Sequence, residues 1–66
     1  MRIIQVREHQ VSTIVVTGEF YIHINNENCD ITRIEKRWPD TFDITEGEKQ
    51  IALEAAMEKW ASAPQV

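Results

Sequence analysis

Cys29, His9 and His23 are the side chains in this sequence best suited to hold a zinc ion or to pair a nucleophile with its base. Tetrahedral zinc sites are built from ligands at close, repeated spacings, and these three residues show none. A hairpin centred on Asn25-Asn26-Glu27-Asn28 sets Ile24 opposite Cys29, His23 opposite Asp30, Ile22 opposite Ile31 and Tyr21 opposite Thr32. In that register Cys29 faces the core and His23 faces away, so a Cys-His pair is not expected. His23 and Asp30 have the types of a base and its orienting carboxylate, but catalysis also needs a pocket, a nucleophile and an oxyanion site. They read as a cross-strand contact. Glu54 and Glu58 stand one helical turn apart, where like charges mildly repel, and read as surface and not as an acid/base dyad. The sequence therefore predicts no catalytic residue, no metal ion and no cofactor.

Recognition is the chemistry that remains. Arg33, Lys36 and Arg37 precede Trp38, and Tyr21 lies on a strand face where it could stack on a base. No aromatic-rich sheet motif accompanies them, Glu35 dilutes the cluster, and the net charge of the chain is −4. The deficit is confined to one part of the molecule. Residues 1–38 carry five basic and five acidic groups, whereas residues 39–66 carry six acids against Lys49 and Lys59. An acidic C-terminal surface including Glu54 and Glu58 disfavours phosphate backbones and favours basic partners.

With 66 residues the chain allows one small core. A domain of that size buries only about 60% of the surface its unfolded form exposes, and small scaffolds commonly add a disulfide, a metal or a second subunit. Cys29 has no intrachain partner, so a weak homodimer through the sheet face or an unpaired edge strand is expected. Edge charges at Arg2, Arg7, Arg33 and Lys36 oppose such pairing. The longest apolar runs, Ile3-Ile4 and Ile14-Val15-Val16, are too short to span a membrane. One unpaired cysteine and an N-terminus interrupted by Gln5, Arg7 and Glu8 predict a cytoplasmic location.

These residues must be positioned by elements whose signals change near Trp38-Pro39. Before it, apolar residues fall on even numbers: Ile4, Val6, Ile14, Val16, Phe20, Ile22 and Ile24. Turns near Gln10 and Gly18 join Ile4 to Val16, Val6 to Ile14, Val16 to Phe20 and Ile14 to Ile22, making one continuous apolar face. Gly18 is expected in a left-handed conformation within a three-residue Thr17-Gly18-Glu19 loop. After Ile31 the alternation slips, which predicts a bulge, a helical turn or the end of pairing between Thr32 and Glu35.

Thr45-Glu46-Gly47-Glu48 matches a capping box, so a helix is expected from Glu46 to about Ser62, stopped by Pro64. Leu53, Ala56, Met57, Trp60 and Ala61 form its expected seam. Ile51 points nearly opposite; either the connector carrying Trp38 and Phe42 folds over it, or it belongs to a partner-binding patch.

The expected architecture is α+β: a small three- to four-stranded antiparallel meander over residues 2–35, a connector over 36–45, and one C-terminal helix over 46–62 packed on one face. Its open face would show Ile3, Val15 and Tyr21 as anchors, a mix suited to protein interfaces. The expected role is a non-enzymatic protein-interaction module, an adaptor, regulator or inhibitor. It would use that face, the Arg33–Trp38 segment, or Ile51, Glu54 and Glu58 on the helix. In size and charge the chain resembles phage and mobile-element accessory proteins that block a host protein. The competing expectation is a nucleic-acid-associated protein using Arg33–Trp38 and the open sheet face.

Overall fold

A computed structural model describes residues 1–62. Strands β1 (Ile3–Glu8), β2 (Ser12–Thr17), β3 (Phe20–Asn25) and β4 (Ile31–Lys36) are followed by helix α1 (Glu46–Ala61). The strands form one antiparallel sheet in the order β1-β2-β3-β4, and α1 packs over β1, β2 and β3. This is the expected α+β meander with all four strands present. Pro64, the expected helix stop, lies outside the described residues.

The register of β2 differs from the expected one by a single residue. Val15 is opposite Val6 on one side and Ile22 on the other, and Val16 is opposite Gln5 and Tyr21. The cause is the β2–β3 turn. Thr17 Oγ1 accepts hydrogen bonds from the amides of Phe20 at 2.8 Å and Glu19 at 3.2 Å, closing a two-residue Gly18-Glu19 loop in place of a three-residue one. Gly18 is consequently not left-handed. A one-residue slip exchanges the faces of a strand, so Thr13, Val15 and Thr17 are buried beneath the helix while Ile14 and Val16 turn to the opposite face.

β1 follows β2 by means of a bulge. Ile3 pairs with Thr17 and Gln5 with Val16, leaving Ile4 unopposed. Ile3 and Val6 therefore both reach the core although three positions apart, and Ile4 is 57% exposed. β4 is offset in the same manner. Ile31 is opposite Ile24 and Arg33 opposite His23, which leaves Thr32 as the extra residue, and pairing continues through Lys36. The β3–β4 connection is thus longer than expected. Cys29 occupies it with φ 62°, exposed, and its amide donates to the Asn25 carbonyl at 2.9 Å. Its expected place in the core is taken by Ile31, which packs against the buried cluster.

Val15, Phe20, Ile22, Ile24, Ala52 and Ala56 form the fully buried core, with Ile34, Ile44, Leu53 and Trp60 packed around it. Ala52 and Ala56 occupy one helix face a turn apart, and small side chains let the helix settle onto a sheet already crowded with branched residues. Met57, 43% exposed, and Ala61 lie outside this contact, so the seam is rotated from its expected centre toward Ala52. Trp60 remains in it. Its indole Nε1 donates to Thr13 Oγ1 at 2.8 Å, and Thr13 in turn donates to Asn26 Oδ1 at 2.6 Å. Asn26 Nδ2 then donates to the His9 carbonyl at 2.6 Å, so one polar chain ties the end of α1 to both loops at that end of the sheet.

The helix starts where the capping box places it. Thr45 Oγ1 accepts from the Glu48 amide at 3.2 Å, and Glu48 Oε1 accepts from the Thr45 amide at 3.1 Å. Thr45→Ala should therefore lower stability by about 1 kcal/mol with the fold retained. An unchanged urea midpoint would show that the cap contributes nothing.

Candidate functional site

The residues that converge best are Tyr21, Arg37 and Trp38, at the end of the sheet that carries the β2–β3 loop. Tyr21 is opposite Val16 and Glu35, which puts it on the face away from α1. Arg37 extends the β4 ladder by donating its amide to the Glu19 carbonyl at 2.8 Å. Its Nη1 donates to the Thr17 carbonyl at 2.8 Å, and this anchor holds the guanidinium 5.5 Å from the Tyr21 ring centre and 5.4 Å from that of Trp38. Both distances are within the range of cation–π attraction. Pro39 biases Trp38 toward extended backbone, and Trp38 Nε1 donates to the Gly18 carbonyl at 3.0 Å. The ring is fixed at one edge yet 53% exposed.

The other basic residues are engaged separately. Arg33 lies on the open face and meets Glu35 at 3.4 Å, while Glu35 Oε1 also lies 2.8 Å from His23 Nε2. Glu35 thus replaces Asp30 as the partner of His23, because the longer connection moves Asp30 into the loop. Lys36 instead pairs with Asp43 of the connector at 2.9 Å. The hydrogen bond from Lys36, reinforced by its charge, holds the Asp43 carboxyl below its ordinary range.

A depressed folded-state pKa adds stability that is present above the unfolded value and is lost as pH falls through the folded one. Asp43 is almost fully exposed, so salt should weaken the pairing. Lys36→Met should raise the Asp43 midpoint in a carbon-detected NMR titration. The same midpoint in both proteins would remove Lys36 as the cause.

Two expected anchors are misplaced. Val15 is fully buried under the helix and Ile3 packs against the core, so neither stands on the open face. The register shift brings Ile14 and Val16 to that face instead; Ile14 is partly exposed there, whereas Val16 is buried. The signal for them was the capacity of Thr17 to close a shorter turn. Ile51, Glu54 and Glu58 are exposed on α1, apart from the aromatic cluster. The connector does not cover Ile51, which is 43% exposed; Trp38 bonds to Gly18, and Phe42 meets Phe20 edge-on at 6.4 Å. Glu58 borders an open groove with Val6, Ala55, Lys59 and Ser62.

Among the described residues, no group of three or more His, Cys, Asp or Glu side chains is placed to hold a metal ion. No described helix is long and apolar enough to cross a membrane. No family model matches the chain, and neither a curated protein nor a solved structure matches it.

Proposed function

We propose that this chain is a non-enzymatic protein-interaction module, an adaptor, regulator or inhibitor of a partner protein, and that Tyr21, Arg37 and Trp38 form its recognition corner. The observation that carries the reading is the half-exposed Trp38 ring, held by its own indole N–H beside an anchored guanidinium. Trp, Tyr and Arg dominate interface hot spots, and side chains already fixed before binding lose less freedom when a partner docks. The acidic outer side of α1, with Glu54 and Glu58, would steer a partner that carries basic groups. A reducing cytoplasm suits this reading, since exposed Cys29 would there remain a thiol.

The same three side chains have the types that stack on single-stranded nucleic acid. The cations, however, are already occupied: Arg33 by Glu35, Lys36 by Asp43 and Arg37 by the Thr17 carbonyl. Releasing them to phosphates would break these contacts, and the net charge of −4 opposes the approach. The protein reading is therefore preferred.

Affinity capture from native lysate, run beside retention on a single-stranded oligonucleotide, separates the two. Trp38→Ala and Arg37→Ala should each weaken capture of the partner by roughly tenfold or more, whereas Val11→Ala, at the other end of the sheet, should leave it unchanged. Retention on the oligonucleotide that falls steeply with salt, with no captured protein, would overturn the proposal.

A further inference from the structure

β4 is an outer strand of the sheet, and among the described residues nothing pairs with its free edge. Which of its groups face outward follows from one hydrogen bond. The Arg37 amide donates to the Glu19 carbonyl, and these residues continue the register that pairs Glu35 with Tyr21 and Arg33 with His23. Hydrogen-bonded and non-hydrogen-bonded pairs alternate along an antiparallel ladder. Arg33 and Glu35 therefore direct their backbone groups toward β3, and Ile34 and Lys36 present theirs to the outside.

We infer that this edge pairs with the β4 edge of a second copy, antiparallel about a two-fold axis at Ile34. The two Ile34 residues then exchange a pair of N–H···O bonds across the axis. In that register Arg33 of each copy lies opposite Glu35 of the other. Both residues are on the open face, and both belong to a non-hydrogen-bonded pair across the axis, where opposed side chains approach most closely. A two-fold interface requires a surface that complements itself, and this segment does so in charge, each copy exchanging its own Arg33–Glu35 contact at 3.4 Å for one across the axis while Glu35 keeps His23.

The neighbouring registers that keep the same faces together fail by the same criterion. Centring on Arg33 brings two arginines together, and centring on Glu35 opposes two glutamates and sets Arg33 against Arg37. On the helix side the Ile34 side chains, only partly buried in one copy, meet across the axis. α1 lies over β1, β2 and β3, so the two helices of the joined sheet stand away from the junction, and on that face β4 is bordered by the connector through the Lys36–Asp43 pair. β1 is the poorer edge. It is interrupted by the bulge at Ile4, and a two-fold axis at Val6 would set Arg7 against the uncharged Gln5. This inference is independent of the Tyr21–Arg37–Trp38 reading.

Sedimentation equilibrium on the full chain at low ionic strength tests it through a charge exchange. Arg33→Glu alone opposes glutamates in its own dimer, and Glu35→Arg alone opposes arginines. Each should weaken dimerisation by roughly tenfold or more. Mixed in equal amounts, the two variants face each other with opposite charges at both positions, so the mixture should dimerise about as well as the wild type. A mixture no more associated than its components, with circular dichroism unchanged, would overturn the inference. So would a wild type that stays monomeric at concentrations on the order of 1 mM. Amide exchange of the wild type supplies a check free of any variant: the Ile34 amide should exchange more slowly at high concentration than at low, and equal rates would also overturn the inference.

Discussion

Phe20→Ala should leave most of the chain unfolded at room temperature. Phe20 is fully buried and is the largest side chain that is so, at the start of the central strand β3 where it packs with Ile22 and Val15. Removing a buried aromatic ring costs about 3 to 5 kcal/mol. A single hydrophobic core in a chain of this length rarely supplies more than about 3 to 5 kcal/mol, so these 66 residues hold a margin of similar size. The check is amide dispersion in a two-dimensional NMR spectrum, which should collapse. Phe42→Ala is the matched control. That ring touches Phe20 edge-on but is 65% exposed, and its loss should cost about 1 kcal/mol. Equal loss from both variants would show that the core is not centred on β3.

Trp60→Ala should be the second most damaging change, at about 3 kcal/mol, because it removes packing against the core and leaves the Thr13 hydroxyl without its donor. Trp60 is only partly buried, which places it at the lower end of the range for aromatic truncations. Trp60→Phe keeps most of the packing and loses the hydrogen bond alone, so it should cost about 1 kcal/mol. Thr13→Val removes the same bond from the other side and also frees Asn26 Oδ1. If Thr13 and Trp60 are linked, the double variant Thr13→Val/Trp60→Phe should cost less than the sum of its parts. Strict additivity in urea titrations would separate the two residues.

The elements were legible in the sequence because each carried its own local signal. The capping box at Thr45 gave the helix start to the residue, and the turn residues around Gly18 and Asn25–Asn28 separated the strands. Register was not legible in β2, for a physical reason. Ser12–Thr17 carries branched side chains at both parities, with Ile14 and Val16 on one face and Thr13, Val15 and Thr17 on the other. Hydrophobicity alone favours the isoleucine and Val16. The threonines are buried instead because their hydroxyls have partners: Thr17 closes the turn and Thr13 joins Trp60 to Asn26.

The helix seam was displaced for a related reason. Counting apolar surface favours Met57, whereas close approach to a branched sheet favours Ala52 and Ala56. At the candidate site, residue type was enough to single out Tyr21, Arg37 and Trp38. Their convergence depended on β4 running to Lys36, which carries Arg37 alongside the β2–β3 turn. Ile3 and Val15 were assigned to the wrong face by the same slip that misplaced β2.

The assignment of the open face, and with it the recognition corner and the charged β4 edge, rests on which side of β2 the helix covers. Methyl NOE measurements on selectively labelled protein decide this. The methyls of Ala52 and Ala56 should contact Val15, and the Trp60 indole proton should contact Thr13. Contacts from the same alanines to Ile14 and Val16 would place those residues beneath the helix and contradict the account.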